Sequence, residues 1–492
     1  MKKEIIIDRE PGLTRAAVLE DGNLAEFYQE KEGAEKISGN IYKGRVQNVV
    51  SGIQAAFVDI GTDKNAFLFL GDAEMDARDF TFGGQADETA KAALSAKKAV
   101  KNNQEILVQA TKEPDGDKGA RVSAHIGLPG RYVVLTPQDN YIGVSRRITN
   151  DEERTRLRGE ALKAKPESYG LILRTAAQGM NAEELKPDID ALCAKWETVE
   201  KAGKTAKAPA CVYQDAALTV RVVRDLLTED TERLLLPDHE TYETVMDALQ
   251  VTAPELCGRC EEYTGSMPIF DTFRIESKLD KALQHKVWLK SGGYLYIDPT
   301  EAMTVIDVNT GKFTGSRELE ETLIKINCEA AVEIARQLRL RDIGGIIIID
   351  FIDMEQEESR EKVLSALKTA LKSDRNRTNV VGFTGLGLVE MTRRKLRTKL
   401  SGTLQTLCPV CEGTGRVIQP EFTARKALRE YRRQKASGSK ATIEIKLNPA
   451  VMAALKELAP DLDAKCTVIS SMGPNDYHVA PVIGKTAKEE EA

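Results

Sequence analysis

The sequence predicts a multidomain α/β (α+β) protein with a small β-barrel in its first quarter and a sheet-and-helix domain in its second half. Three observations lead there. The 492 residues are enough for about three or four compact units with sizeable cores. Between residues 40 and 122, short β-type runs alternate with glycines. Between residues 278 and 398, a hairpin pattern, a long helical period and the run Ile346, Ile347, Ile348, Ile349 follow one another.

Residues 5–7 and 14–19 read as strands, with a turn at Asp21-Gly22-Asn23. Strands at 41–50, 53–60, 65–70 and 105–111, punctuated by Gly44, Gly52, Gly61 and Gly71, suggest the barrel. A polar, Ala- and Lys-rich insert at 72–103 interrupts it. Helices are expected at 151–163 and 183–204, a strand at 169–175, and a small, basic loop at 201–209. Residues 294–297 and 304–307 flank the turn residues Asp298-Pro299-Thr300-Glu301. The long helix that follows has Ser316 as expected N-cap, Glu318, Glu320 and Glu321 in its first turn, and Leu319, Leu323, Ile326, Ala330, Ile334 and Leu338 at helical spacing. Arg336, Arg339 and Arg341 suit its negative end, and Gly344-Gly345 is expected to stop it. The four isoleucines then read as a strand buried on both faces, ending at Asp350. The tail at 485–492 is expected to be disordered.

Lys and Arg total 70 against 76 Asp and Glu, a net charge of −6, which excludes a uniformly basic nucleic-acid binder but not a basic face. No apolar run approaches the roughly 18 residues of a membrane span, and only Ile5, Ile6 and Ile7 are consecutive near the N-terminus, too few for a signal peptide. Sparse cysteines then fit a cytoplasmic location.

Asp307 and Asp350 each end an apolar strand, a common position for site residues. Asn309 would share a strand face with Asp307, roughly 6 to 7 Å away along the chain. Two carboxylates and an amide oxygen suit Mg²⁺, although the same residues also serve as ordinary strand ends. Cys408-Pro409-Val410-Cys411, followed by Gly413 and Gly415, supplies two of the four ligands of a zinc site. The other two would come from the same knuckle of a second chain or from Cys257 and Cys260; a redox pair is a third reading. Phe57 and Phe67 on the barrel strands either stack bases or fill the core. The basic run 393–399, continued by Arg425-Lys426 and Arg432-Arg433, is either a solvated helix face or a polyanion contact. His125, His239, His285 and His478 show no pairing that would support a histidine acid–base mechanism.

Taken together, the motifs resemble the ribonuclease E/G family of bacterial endoribonucleases. The resemblance is carried by Gly39-Asn40-Ile41-Tyr42-Lys43-Gly44-Arg45-Val46, residues 54–61 (QAAFVDIG), Val144-Ser145-Arg146-Arg147-Ile148, Leu173-Arg174-Thr175, and Val305-Ile306-Asp307-Val308-Asn309. It continues through 333–342 (EIARQLRLRD), 344–354 (GGIIIIDFIDM) and 406–415 (TLCPVCEGTG), in family order along nearly the whole chain. The resemblance implies catalytic Mg²⁺ held by Asp307 and Asp350 with Asn309 beside them. It implies Zn²⁺ on Cys408 and Cys411, shared with a second chain in a homo-oligomer. A 5′-monophosphate pocket falls on Arg174, Thr175 and Arg377 with the backbone at Gly130 and Val134, and RNA contacts fall on Phe57, Phe67 and Lys112. The pair Cys257 and Cys260 departs from the family pattern and leaves a second metal site open.

The implied architecture is an OB-fold, S1-like barrel (38–124) inserted in a split ribonuclease H-like domain (1–37 and 215–277). A 5′-phosphate sensor region (125–214), a deoxyribonuclease I-like catalytic domain (278–400), a zinc-link (401–417) and a small C-terminal domain (418–492) complete it. The implied activity is magnesium-dependent cleavage of single-stranded RNA, ribosomal RNA precursors and messenger RNA, to 5′-phosphate and 3′-hydroxyl ends. The rival expectation is a non-catalytic RNA-binding scaffold or ribosome assembly factor.

Overall fold

The computed structural model describes residues 2–33, 36–70, 80–81, 100–114, 118–311, 319–395, 397–437 and 441–482. The expected Ser316 cap, Gly71, Leu396, most of the 72–103 insert and the 485–492 tail lie outside them. The chain divides into two compact units, Met1–Leu400 and Ser401–Ala492. Among the described residues no helix is long and apolar enough to cross a membrane.

Among the described residues the first unit holds four sheets. In one, Lys3–Glu10 pairs antiparallel with Leu13–Glu20, which pairs with Asn23–Lys31; on its other side Lys3–Glu10 runs parallel to Thr231–Leu236, followed by Cys260–Glu262. Residues from both ends of a 260-residue stretch therefore share one core, built on Ile5, Ile7, Val18, Leu234 and Leu236.

The second sheet closes on itself. Ile41–Val50, Ala55–Asp59, Ala66–Phe69, Arg121–Ser123 and Glu105–Lys112 pair in that order, and Glu105–Lys112 pairs back to Ile41–Val50. This is the five-stranded closed barrel that the glycine-punctuated strands suggest. Val46, Val58, Leu68, Val108 and Val122 fill it. Gly44 permits closure: a Cβ there would stand 2.5 Å from Val58 Cγ1.

A third sheet, with Val133–Thr136, Gly170–Leu173 and Ile142–Ser145 at its centre, packs with the helices Asp151–Ala164 and Ala182–Thr205. The expected loop at 201–209 begins later than its composition suggests. A capping box at Asn181 and Glu184 starts the helix, Trp196 and Val199 bury its inner face, and helical structure continues to Thr205.

The fourth sheet carries the two aspartates. Its order is Lys286–Trp288, Tyr294–Pro299, Met303–Asn309, Gly345–Asp350, Val389–Arg393 and Thr378–Phe383. Ile326, Ala330, Ile334 and Leu338 of the helix Leu319–Leu340 pack on Leu295, Ile306, Val308, Ile347 and Ile349, and Val363 and Leu367 of Glu357–Ala370 join the same core. The isoleucine run is thus buried on one face only: Ile347 and Ile349 are fully buried, while Ile346 is 48% exposed. Among the described residues helices cover one side of this mixed sheet, so the alternation hidden by four identical residues reappears as in-and-out burial. The helix also ends before Gly344: it stops at Leu340, and Asp342 takes the left-handed turn.

The second unit combines the helices Pro420–Ala436 and Pro449–Leu458 with a three-stranded sheet of Lys465–Val468, Ile443–Leu447 and Tyr477–Pro481, around Leu428, Ile445, Leu447 and Val451.

Candidate active site

Asp307 and Asp350 lie on adjacent parallel strands and face each other directly in register. Sequence places each at a strand end; the crossover through the long helix makes them neighbours. Both are exposed. Asn309 Nδ2 donates to Asp307 Oδ2 at 2.6 Å, so the amide fixes the carboxylate's rotamer. The carboxyl of Asp350 holds its proton more tightly than usual, through partial burial and then the negative charges of Asp307 and Asp353. Asp353, three residues past the strand, is a further negative charge that acts on Asp350 without joining the facing pair. Clustered carboxylate oxygens that repel one another are a donor set a hard divalent cation fits, because the cation relieves the repulsion.

Of the residues expected to form a 5′-phosphate pocket, Arg174 and Gly130 meet beside Asp225. Arg174 donates from one Nη to the Gly130 carbonyl at 2.5 Å and from the other to Asp225 Oδ1 at 2.7 Å. Arg375 donates to the Asp225 carbonyl at 2.8 Å, and Arg147 to the Asp374 carbonyl at 2.9 Å. The 374–377 loop is thereby held beside Arg174, with Arg377 exposed at its end. Burial disfavours the charge on Asp225, but Arg224 and Arg174 outweigh it and hold the carboxyl below its usual range. Buried Asp188 accepts from the backbone N–H groups of Arg131, Tyr132 and Val133 and shapes the turn. A Cβ at Gly130 would stand 2.5 Å from that carboxylate. Thr175 opens a short 3-10 turn and is exposed; Val134 is half-buried in the strand paired with Ile172.

On the barrel, Phe57 pairs with Phe67, Phe67 with Arg121, and Arg121 with Lys112. A cross-strand row therefore reads Phe57, Phe67, Arg121, and a register shift between Ala110 and Lys112 brings exposed Lys112 opposite Arg121. The rings lie 6.0 Å apart, edge to face, half-exposed and outside the barrel core. Of the two readings of these phenylalanines, core filling is the one the structure does not support. Arg121 joins the row only through strand register.

In the second unit Cys408 is exposed and Cys411 half-buried. Backbone N–H groups of Cys411 and Val410 are directed at the Cys408 sulfur and lower its pKa, as a zinc-ligand thiolate needs. Glu412, Gly413 and Gly415 turn left-handed behind the pair. Cys260 is the opposite case: burial, then Cys257, pushes its thiol up to about 11. Among the described residues no group of three or more His, Cys, Asp or Glu is gathered as a metal site.

The basic run divides. Arg393 is 3% exposed and pairs with Asp374 at 2.7 Å and Asp342 at 3.0 Å; Arg397 pairs with Asp342 and lies 4.2 Å over the Tyr28 ring. Arg393 is structural, since it ends a strand and is buried between two carboxylates rather than standing on a solvated helix face, whereas Arg397 is tied to Asp342 yet stays exposed.

Residues 127–396 match the model of the Ribonuclease E/G family. The chain is 42% identical to ribonuclease G of Escherichia coli (strain K12) over 456 residues, 93% of each chain. It is 41% identical to ribonuclease G of Haemophilus influenzae over 448 residues, 91% of each. It is 36% identical to ribonuclease E of Haemophilus influenzae over 434 residues, 87% of this chain and 45% of that one.

Proposed function

The chain belongs to the ribonuclease E/G family and is an endoribonuclease, and from that premise we propose that it hydrolyses single-stranded RNA at the Asp307–Asp350 pair with Mg²⁺ as cofactor. The observation that carries this reading is the register that sets the two carboxylates opposite each other, with Asn309 locking one. Asp307 and Asp350 would hold the ion. When bound, Mg²⁺ supplies a water of lowered pKa and neutralises charge on the phosphate. Hydrolysis forms a bond from water oxygen to phosphorus and breaks the bond from phosphorus to the 3′ oxygen. The ends left are a 5′-phosphate and a 3′-hydroxyl. Asn309 positions Asp307 throughout. Phe57 and Phe67 stack unpaired bases, Lys112 and Arg121 meet phosphates, and Arg174, Thr175 and Arg377 receive a 5′-monophosphate against the Gly130 and Val134 backbone. Substrates of this kind include ribosomal RNA precursors and decaying messenger RNA, met in the cytoplasm.

The test compares cleavage of one single-stranded RNA carrying a 5′-monophosphate or a 5′-hydroxyl, with chelator and with Mg²⁺. Cleavage should stop with chelator and return with Mg²⁺. The monophosphate should be preferred, and Arg174→Ala should reduce that preference by about 10-fold, one charge-assisted bond's worth. Phe67→Ala should raise KM for both RNAs alike. Cleavage that ignores chelator, or equal preference in wild type, would count against the respective assignment.

Cys408 and Cys411 are proposed to share one Zn²⁺ with the same pair of a second chain, a homo-oligomer clasp. Two ligands per chain and a four-ligand ion give roughly half an atom of zinc per chain. Cys408→Ser should lose the zinc and split the oligomer in sedimentation; a full atom per chain that depends on Cys257 would place the metal within one chain instead.

A further inference from the structure

The face of the catalytic sheet that its helices leave open carries more than the carboxylates. Strand register aligns Lys286 with Tyr296, Tyr296 with Asp307, and Asp307 with Asp350. The neighbouring row aligns Trp288 with Tyr294 and Tyr294 with Asn309. Directly paired residues point to one side of a sheet, and so do residues two apart. Three aromatic rings and a lysine therefore stand on the same face as Asp307, Asn309 and Asp350. Strands lie about 4.8 Å apart, which puts the Tyr296 backbone about 5 Å and the Lys286 backbone about 10 Å from that of Asp307.

The rings form a set. Trp288 and Tyr294 are 5.4 Å apart at 68°, and Tyr294 and Tyr296 are 5.5 Å apart at 82°. The Lys286 ammonium sits 3.7 Å from the Tyr294 ring centroid, 4.2 Å from that of Trp288 and 5.7 Å from that of Tyr296. Cation–π attraction fixes the rings on an otherwise open strand pair. The cost is surface: Trp288 remains 59% exposed and Tyr296 39%. An exposed tryptophan and tyrosine held in place are unfavourable in water unless something covers them. The opposite face of the same hairpin buries Leu295 and Ile297 in the core, so the fold does not need these rings for its own packing.

We infer that Trp288, Tyr294 and Tyr296 form a stacking site for an unpaired base of the RNA next to the bond being cut, with Lys286 facing the adjoining phosphate. This rests on the endoribonuclease reading of Asp307 and Asp350 and adds to it a subsite on the catalytic sheet itself, separate from the aromatic row on the barrel. The occupant follows from the chemistry. Aromatic faces accept any base, the ammonium matches a phosphodiester, and the surface is continuous with the carboxylate pair where the chain must be cut. A base seated here would hold the scissile phosphate in register with Asp307 and disfavour duplex RNA, whose bases are already stacked.

The experiment uses the full-length chain. Trp288→Ala combined with Tyr296→Ala should lower kcat/KM on a short single-stranded RNA by about 5- to 150-fold, while Trp288→Phe combined with Tyr296→Phe keeps most of the activity. An RNA with an abasic nucleotide beside the cleaved bond should lose a similar factor with the wild type and lose nothing further with the alanine pair, since both changes remove one contact. The chain has two tryptophans, and Trp196 is buried, so emission at Trp288 is separable by comparison with Trp288→Phe. Single-stranded RNA bound to Asp307→Asn protein should quench it. Unchanged kcat/KM in the alanine pair, or additive losses with the abasic RNA, would overturn the stacking site while leaving the enzyme intact. A wild type that cleaves no RNA with Mg²⁺ would overturn the reading of the carboxylates, and this inference with it.

Discussion

Asp307→Asn will abolish RNA cleavage, by about 1,000-fold or more, and leave RNA binding close to wild type. The substitution keeps the volume and one hydrogen-bonding oxygen, so the strand and its neighbours persist. What it removes is one of two negative charges placed side by side across the pair Met303–Asn309 and Gly345–Asp350. A divalent ion held by one carboxylate in place of two loses several kcal/mol of its ability to stabilise charge on phosphorus; about 4 kcal/mol is a thousandfold in rate. Asp350→Asn should behave in the same way. Asn309→Ala should be milder, roughly 10- to 100-fold, because Asn309 acts through its 2.6 Å bond to Asp307 rather than on the substrate. The measurement is single-turnover cleavage beside fluorescence anisotropy of labelled RNA. A scaffold protein predicts no graded series, since its RNA contacts do not run through these three residues. Wild-type rates in Asp307→Asn would remove the catalytic assignment.

How much of this was legible in the sequence follows from the range of the interaction concerned. Local patterns were readable. Short strands with glycines gave the barrel, the helix expected at 183–204 stands at Ala182–Thr205, and the two-cysteine knuckle is written in consecutive residues. Register is not local. Nothing in the chain near Phe67 says that Arg121 stands beside it, or that Tyr296 stands beside Asp307; those facts depend on which strands pair and where. Burial was misread where composition hides alternation, as in the isoleucine run, whose outward members are as apolar as its inward ones. Charge was misread where partners are distant. Arg393 and Arg397 look like a surface run, yet Asp342 and Asp374, 51 and 19 residues away, draw Arg393 inward, and Asp342 pins Arg397 at the surface. The net charge of −6 hid both the pinned charges and those proposed to meet RNA.

Glu26→Gln should destabilise the first unit by about 3 kcal/mol at neutral pH and should do so progressively less in acid. Glu26 lies on the strand Asn23–Lys31, is 6% exposed, and accepts from Arg339 at 2.9 Å and from the Tyr28 hydroxyl. Arg339 belongs to the helix that packs behind the two aspartates and also pairs with Glu20 at 2.7 Å. Burial alone would raise the Glu26 pKa. The charges of Arg375 and Arg339, with the hydrogen bonds from Tyr28 and Arg339, win instead and hold it at about 2, against an ordinary value of 4.5. A folded pKa below the unfolded one means that the folded state favours the charged form. The stabilisation is therefore full above about pH 4.5 and is lost as pH falls towards 2. A difference of that size corresponds to about 3 kcal/mol at 1.36 kcal/mol per unit. Glutamine cannot ionise, so it leaves Arg339 and Arg375 facing a neutral amide at every pH, and breaking one side of a buried pair costs roughly this much or more. Urea unfolding of wild type and variant at pH 7 and near pH 3.5 measures it: the gap should be widest at pH 7 and narrow in acid. A gap of constant width would show that lost packing rather than lost charge is responsible. Because Arg375 also holds the Asp225 carbonyl beside Arg174, the same variant should loosen the 374–377 loop and, if Arg174 receives a 5′-monophosphate as proposed, weaken discrimination between 5′-monophosphate and 5′-hydroxyl RNA.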